Sequence, residues 1–439
     1  MRRTTWTAIA LLAASLCGSA LLGQQGQPTP EVPTIRIVGA GRPKVPIAIP
    51  PFDGGTEARS LTAAKTLCEV LRNDLLFSTY FSIVPDEYLR LVGPFSDRRA
   101  NYKEWEGIGA DALLAGQART EGPVGYVFEG RVYDTAEQRM VVGKKYKAEA
   151  DQVRLMAHRL ADEIIQQYTG QPGIATTRIA FVSQVGKGKE IYVMDYDGAR
   201  ARKITSNGSI NLSPAWSPDG KSIAYLSYRG NQPRLMIMSS AGEIRSAFLQ
   251  KGELNSAPAW SPDGRLLAFS SARDGNAEIY TLRLSDDTLS RLTRNDAIDT
   301  SPAWSPDGRS IAFTSDRSGS PQIYIMDTDG GNVRRLTGDL SYCDAPSWSV
   351  AAPDELIAFT ARVPGGFDIY THNLKTGALS RLTDGSDINE WPRFSPDGQH
   401  LVFHSNRSGS NDLYTMEANG DHVRRLTHGG NNSSPSWSR

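Results

Sequence analysis

The stretch SPAWSPDGRSIAFTSDRSG, residues 301–319, recurs along the second part of the chain and decides its fold. Close copies begin at residues 213 and 257, and a more divergent copy, PRFSPDGQHLVFHSNRSG, covers residues 392–409. A sequence repeat of this length is typical of a repeat array or of the blades of a β-propeller. The tryptophans of successive copies are 44 residues apart: Trp216, Trp260, Trp304 and Trp348.

Each repeat contains four short segments that are rich in β-branched and aromatic residues and are separated by turn residues. In the copy that begins at residue 301 these segments read PAW, SIAFTS, QIYIMD and VRRLT. Their spacing predicts a four-stranded antiparallel meander whose first hairpin turn is SPDG. The second segment is almost wholly apolar, so we expect it to be buried on both faces between neighbouring sheets. A repeated four-stranded unit of this length predicts a β-propeller.

The number of repeats predicts six blades. The opening unit, residues 178–205, lacks the tryptophan-containing strand, and the fragment SPSWSR at residues 434–439 supplies it. We therefore predict that this C-terminal strand pairs into the first blade and closes the ring, which leaves no open sheet edge. One apolar position of the second strand marks all six units: Ile179, Ile223, Leu267, Ile311, Ile357 and Leu401.

The beginning of the chain has the pattern of a targeting segment. Residues 1–22 combine two arginines with a short apolar run and small residues, which predicts a secretory signal peptide with cleavage between Ala20 and Gly23. The alternative of a lipid-modified Cys17 is disfavoured because a leucine directly precedes it. Residues 23–33, rich in glutamine and proline, predict a flexible N-terminal arm.

Between the arm and the repeats we predict a small α+β domain, residues 34–172, followed by the propeller at residues 173–439. Helical periodicity covers residues 57–77 and 151–170, with Gly170 as the end of the second helix. Strand-like segments alternate with these two helices. The fold class is therefore a small α+β N-terminal domain followed by a six-bladed β-propeller.

Composition and motifs argue against several classes of function. Lysine plus arginine and aspartate plus glutamate both number 48, so there is no basic field for nucleic acid. The sequence has no G-x-S-x-G elbow, zinc-binding H-E-x-x-H, P-loop or dinucleotide fingerprint. We predict no enzyme, no cofactor, and neither a catalytic nor a metal-binding residue. The two remaining cysteines, Cys68 and Cys343, are expected to stay free.

Two charged positions recur in most of the repeats. A residue that occurs once per blade is expected to serve the geometry of the blade rather than a unique site, so we interpret both positions as structural. They are the aspartates of the SPDG turns, Asp219, Asp263, Asp307 and Asp397, and the arginines after the second strand, Arg229, Arg273, Arg317 and Arg407.

Function is expected where the repeats differ from one another. In a propeller the loops that join the outermost strand of one blade to the innermost strand of the next crowd one rim of the central channel. Here these rim loops are polar and rich in Asn, Ser and Asp, which suits the binding of another protein or its peptide. They cover residues 206–213, 250–257, 294–301, 338–345, 384–391 and 428–435.

The order of the parts resembles the TolB family of the periplasmic Tol-Pal system over the whole mature chain. The segments IRIVGAGRPKVPIAIPPF, GADALLAGQ, VYDT, RIAFVSQ and DYDG occur in the order of that family. The resemblance implies a monomeric, non-enzymatic periplasmic adaptor that supports outer-membrane integrity and cell division. Its implied partners are the peptidoglycan-associated lipoprotein Pal and the C-terminal domain of TolA, with membranes reached only through these partners.

Two sets of residues carry over from the family by position. For Pal binding on the propeller rim they are Leu254, Asn255, Ala257 and Thr300. For TolA binding by the N-terminal arm they are Ile35, Arg36 and Ile37. The direction of any coupling between arm and rim stays open.

Two other classes of protein share such a propeller. One is a periplasmic carbohydrate- or peptide-binding propeller outside the Tol-Pal system, including a polysaccharide lyase with a cluster of His, Tyr and Arg in the channel. The first strands here contain mostly Ala, Ser, Trp and Pro, which argues against a lyase. The other is the gate of a serine oligopeptidase, for which the hydrolase domain is missing.

Overall fold

The computed structural model describes residues 44–93, 95, 101–230, 233–248, 255–350, 355–385 and 387–439. The predicted signal peptide, the arm, and Ile35, Arg36 and Ile37 lie outside these residues. An α+β domain is followed by six four-stranded sheets, which confirms the predicted fold class. Within the described ranges, no helix combines the length and the apolar character needed to cross a bilayer.

The α+β domain is one five-stranded sheet with helices packed on it. Its strands are β1 (Val45–Ala48), β2 (Phe81–Ile83), β3 (Ala112–Glu121), β4 (Gly125–Asp134) and β5 (Arg139–Glu149), in the order β2-β1-β3-β4-β5. Its helices are α1 (Ala58–Phe77), α2 (Asp86–Leu89), α3 (Tyr102–Gly107) and α4 (Val153–Thr169). The first three strands in this order are parallel, and β3, β4 and β5 are antiparallel.

The two long helices α1 and α4 lie close to their predicted positions. Gly170 ends α4 with a φ of 73°, a left-handed conformation that glycine adopts without strain. The apolar stripe of α1 is buried as the periodicity predicts, except that Leu61 in its first turn is 49% exposed. Cys68 and Cys343 are free, as expected.

The remaining strands form six blades. Blade 1 contains β6 (Arg178–Val185), β7 (Gly188–Asp195) and β8 (Arg202–Lys203); blade 2 contains β9 (Asn211–Trp216), β10 (Ser222–Ser227), β11 (Arg234–Ser239) and β12 (Ile244–Phe248). Blade 3 contains β13 (Asn255–Trp260), β14 (Leu266–Ser271), β15 (Glu278–Arg283) and β16 (Leu289–Arg291); blade 4 contains β17 (Asp299–Trp304), β18 (Ser310–Ser315), β19 (Gln322–Asp327) and β20 (Arg334–Arg335). Blade 5 contains β21 (Cys343–Trp348), β22 (Leu356–Val363), β23 (Gly366–Asn373) and β24 (Leu379–Arg381); blade 6 contains β25 (Asn389–Phe394), β26 (His400–Ser405), β27 (Asp412–Glu417) and β28 (Arg424–Arg425).

The last strand, β29 (Ser433–Trp437), closes the ring as predicted. It pairs antiparallel with β6, so that Trp437 lies opposite Ile179. Two side-chain bonds reinforce the closure: Trp437 Nε1 donates to Thr177 Oγ1 at 2.8 Å, and Arg178 N donates to Ser438 Oγ at 2.8 Å. Blade 1 therefore contains strands from both ends of the propeller sequence.

Apolar second strands hold neighbouring blades together. The strand β10 is buried at all six positions, and β14, β18 and β26 are buried at five or six, which confirms the expected two-faced burial. Three inner-strand tryptophans add a polar link, because the indole N–H of each donates to a backbone carbonyl of the preceding blade at 3.0–3.1 Å. These bonds run from Trp260 to Ala215, from Trp304 to Ala259 and from Trp348 to Ala303.

The recurring charged residues serve blade geometry. In the SPDG turn of blade 4, Ser305 Oγ donates to Asp307 Oδ1 at 2.6 Å and Arg309 N donates to the same oxygen at 3.1 Å. These hydrogen bonds lower the pKa of Asp307. The guanidinium group of Arg317 donates to the buried carboxylate of Asp299 at 2.8 Å, which fixes the start of the inner strand.

Candidate partner-binding site

All six inner strands contain a bulge at the same position. A residue before the proline adopts a φ between 49° and 58°, and the pairing of inner and second strands shifts register there. Bulges of this kind reorient side chains and increase local twist. The rim end of each inner strand therefore differs in direction from the end that enters the SPDG turn. The bulged residues are Ser213, Ala257, Ser301, Ala345, Trp391 and Ser434.

Five of the rim loops are each anchored by a buried polar side chain, which lies near the start of the third strand of the preceding blade. In blade 3, the fully buried Glu278 accepts hydrogen bonds from Thr293 Oγ1 at 2.5 Å, from Asn295 N at 2.8 Å and from Arg291 Nη2 at 2.8 Å. Burial alone would raise the pKa of Glu278, but these bonds outweigh it and lower the pKa. Equivalent bonds join Thr205 to Glu190, Thr337 to Gln322, Thr383 to Asp368 and Thr427 to Asp412.

The structure places the sequence-predicted rim residues on two neighbouring inner strands. Asn255 begins β13, where it pairs with Ser271, and Thr300 lies on β17 opposite Thr314. Ala257 occupies the bulge of β13 and is only 7% exposed. Its side chain therefore has little surface for a partner to contact, and any contribution to binding would come through the shape of the bulge. Leu254 lies outside the described residues. The role of these four residues stays a prediction.

The channel wall between blades 5 and 6 contains polar residues that sequence reasoning missed. The six inner strands read NLSPAW, NSAPAW, DTSPAW, CDAPSW, NEWPRF and, with Asn432 included, NSSPSW. Only NEWPRF carries charged residues on both sides of the proline, Glu390 and Arg393, together with Trp391 at the bulge. Alignment of the repeats with one another would have revealed this departure; the prediction instead followed the loop residues carried over from the family.

A second cluster of ionisable groups lies where the two domains meet. Asp74 on α1 accepts a hydrogen bond from the Tyr196 hydroxyl at 2.6 Å, and its other oxygen lies 2.8 Å from His158 Nδ1 on α4. His158 Nε2 lies 3.9 Å from a carboxylate oxygen of Asp195. All four residues are buried, so this cluster joins the helices to the turn between β7 and β8.

His158, Asp195 and Asp197 form the single group within the described ranges whose donor atoms could surround a metal ion. Both carboxylates are already bonded to guanidinium groups. Asp195 accepts bonds from Arg200 at 2.7 and 3.0 Å, and Asp197 pairs with Arg154. We therefore interpret the cluster as an ion-pair network between the domains rather than as a metal centre.

The fold and the rim together define a class of protein: a six-bladed β-propeller with an α+β domain built onto it and a rim of anchored, mutually different polar loops. The family model of the TolB β-propeller domain matches residues 165–362 and 339–439. The family model of the TolB amino-terminal domain matches residues 33–141. The chain belongs to the TolB family.

Similar proteins support this assignment. The Tol-Pal system protein TolB of Desulfosudis oleivorans is 38% identical over 195 residues, 43% of each chain, and that of Anaeromyxobacter sp. strain K is 36% identical over 220 residues, 49% of this chain and 48% of the relative. The chain thus spans about half the length of the curated relatives it matches. The crystal structure of TolB from Acinetobacter baumannii superposes with a TM-score of 0.76 at 29% identity, covering 90% of this chain and 97% of that chain.

Proposed function

We propose that this protein is a periplasmic adaptor of the Tol-Pal system that binds the peptidoglycan-associated lipoprotein Pal through its rim loops. The observation that carries the proposal is the contrast within the propeller: the blades repeat, whereas the anchored rim loops differ from one another. The five anchored loops within the described residues carry varied polar side chains, and anchored loops lose little conformational entropy when they bind a protein. Family membership supplies the class of partner, and no enzymatic activity is part of the proposal.

The rim proposal is tested with the mature protein and the soluble domain of the lipoprotein from the same organism. Calorimetric titration is expected to show binding, and substitution of Asn255 or Thr300 by alanine is expected to weaken it about fivefold or more, a loss of ~1 kcal/mol. Arg309→Ala is the control, because Arg309 lies in the SPDG turn at the opposite end of the inner strand with its side chain 84% exposed.

Two outcomes would contradict the rim proposal. Unchanged affinity in both the Asn255 and the Thr300 variant would place the binding surface elsewhere. Recovery of soluble glycans from an envelope extract, without the lipoprotein, would favour the alternative of a periplasmic carbohydrate-binding propeller outside the Tol-Pal system.

We further propose that the N-terminal arm binds the C-terminal domain of TolA through Ile35, Arg36 and Ile37. Replacement of both isoleucines by aspartate is expected to abolish binding of that domain, because an extended apolar segment that pairs with a partner loses its buried contacts. The same variant is expected to bind the lipoprotein at least as strongly as wild type does, because its rim is unchanged. Retained binding of the TolA domain by the variant would contradict the arm assignment.

A further inference from the structure

One inner-strand position distinguishes blade 6 from the other blades. The residue directly before the conserved aromatic is small in five blades and is Arg393 in blade 6. The small residues are Ala215, Ala259, Ala303, Ser347 and Ser436. Because the inner strands surround the channel, the arginine of blade 6 adds a long cationic side chain at a position where the other five inner strands carry only alanine or serine.

The hydrogen bonds of Arg393 are made to neutral groups. Its Nη1 donates to the carbonyl of Pro392 at 2.9 Å and to the carbonyl of Ala345 on the neighbouring inner strand β21 at 3.4 Å. No carboxylate of the described residues forms an ion pair with it. Burial lowers the pKa of Arg393 to about 10, while the charge of Asp344 acts in the opposite direction. The side chain of Arg393 is partly buried, and none of the described carboxylates forms a hydrogen bond or ion pair with it. A guanidinium group that is partly removed from water favours an anion as its partner.

Neighbouring carboxylates already have donors of their own. Asp344 Oδ1 accepts hydrogen bonds from Ser301 Oγ at 3.0 Å, Thr314 Oγ1 at 2.8 Å and Ala345 N at 2.6 Å. Glu390 lies 3.3 Å from His404 Nε2. These donors occupy Asp344 and Glu390, so that neither carboxylate forms an ion pair with Arg393 among the described residues.

Trp391 supports the position of Arg393. The guanidinium carbon of Arg393 lies 5.5 Å from the centroid of the Trp391 ring, within the range of a cation–π contact. Trp391 adopts a φ of 58°, a conformation that L-residues with bulky side chains rarely adopt. The backbone N–H of Trp391 donates to Thr360 Oγ1 at 3.0 Å, and this hydrogen bond stabilises the backbone conformation. The equivalent residue of every inner strand has a similar φ, so the conformation belongs to the blade, and blade 6 differs in the size of the side chain placed there.

We infer that Arg393, positioned by Trp391, binds a side-chain carboxylate of an acidic segment of the protein partner that enters the channel between blades 5 and 6. The inference rests on the proposed function and adds the chemistry of the ligand. A guanidinium group holds a carboxylate through two parallel hydrogen bonds. The partner's carboxylate would supply the anion that the channel wall lacks.

The first test compares wild type, Arg393→Met and Arg393→Lys in calorimetric titrations with the soluble lipoprotein domain. Arg393→Met is expected to weaken binding about tenfold to a hundredfold, and Arg393→Lys less, because lysine keeps the charge but lacks the planar fork. Arg309→Met serves as the control. The Arg393→Met variant is expected to fold with a thermal stability close to that of wild type, since the substitution breaks no ion pair among the described residues and removes only hydrogen bonds to two backbone carbonyls.

Affinity of Arg393→Met within twofold of wild type, together with weakened binding by the Asn255 and Thr300 variants, would overturn this inference and leave the proposed function intact. A second probe does not depend on the lipoprotein. Wild type is expected to bind a hexaglutamate peptide more tightly than hexaglutamine, and Arg393→Met is expected to bind the two alike. Absence of this preference in wild type, or its persistence in the variant, would also overturn the inference.

Discussion

Blades 3 and 4 approach each other so closely at Gly330 that there is no room for a Cβ atom at this position. This glycine lies in the turn between the third and fourth strands of blade 4 with a φ of 89°, and a Cβ there would lie 2.3 Å from the backbone oxygen of Leu292 in blade 3. Gly330→Ala is expected to lower the free energy of unfolding through backbone strain of about 1–2 kcal/mol and through overlap of ~1–3 kcal/mol. Urea denaturation of the purified protein measures the sum.

Gly319 is the matched control for Gly330. It also has a positive φ, 94°, but no atom lies within 4 Å of the Cβ that alanine would add. Gly319→Ala is therefore expected to cost only the backbone strain, about 1–2 kcal/mol. Equal losses in the two variants would show that the contact with Leu292 does not constrain the blade interface.

Helices α1 and α4 are bound to the propeller through contacts that no repeat pattern describes. Phe77 at the end of α1 stacks on His400 of blade 6 with ring centroids 3.9 Å apart. The same ring lies 5.0 Å from Tyr196 in blade 1. Buried apolar side chains of both domains belong to one continuous core. The α+β domain is therefore held at the seam where blades 1 and 6 meet.

The Asp74–His158 pair makes this junction sensitive to pH. Burial raises the pKa of Asp74. Burial also opposes protonation of His158, but the hydrogen bond and charge of Asp74 outweigh it and raise the pKa of His158. The folded pair therefore holds protons to a higher pH than the unfolded chain does, however the proton is shared between the two groups. The free energy of unfolding must then fall as pH rises.

We expect the contribution of this pair to be fully present in acid and to be lost as pH rises above about 6.5, the ordinary pKa of histidine. His158→Gln keeps a donor for Asp74 but does not titrate, so its urea midpoint should change less between pH 6 and pH 8 than that of wild type. His422→Gln is the control, since His422 is 73% exposed and pairs with Glu417 at the surface. The same pH slope in wild type and His158→Gln would rule out the pair as its source.

Sequence periodicity predicts the elements well and their contacts less well. The 44-residue spacing of Trp216, Trp260 and Trp304 is sufficient to predict the blades, because every blade has the same pattern of buried apolar positions. His158 and His400 read as ordinary histidines, since their partners Asp74 and Phe77 are far away in sequence. Long-range contacts made once leave no periodic signal.

Only part of the candidate site can be recognised from the sequence, because a contact that is made once has no periodic signal. Rim loops are recognisable as the segments that differ between repeats, and the structure shows how buried residues such as Glu278 anchor them. The channel wall at Arg393 was missed although a departure from the repeat marks it in the sequence. The sequence does not show that Arg393 lacks a carboxylate within bonding distance among the described residues, because that depends on the three-dimensional structure.

At the scale of the whole molecule, β29 determines whether the ring is closed. Removal of residues 433–439 would leave β6 without its inner neighbour and would expose the apolar face that Trp437 covers. We expect this truncated chain to lose most of its stability and to form aggregates through the open edge. Thermal unfolding and size-exclusion chromatography measure both effects. A chain that lacks only Arg439 should behave as wild type, and a monomeric, cooperatively folded truncated chain would show that closure is dispensable.

The hydrogen bond between Arg178 and Ser438 joins residues 260 positions apart. Contacts across such a distance form slowly, because a large loop must close before they contribute. We therefore expect the first blade to be completed late, after the blades whose strands are close together in sequence. Until then its unpaired edge is accessible to proteases, so resistance to proteolysis would report that the ring has closed.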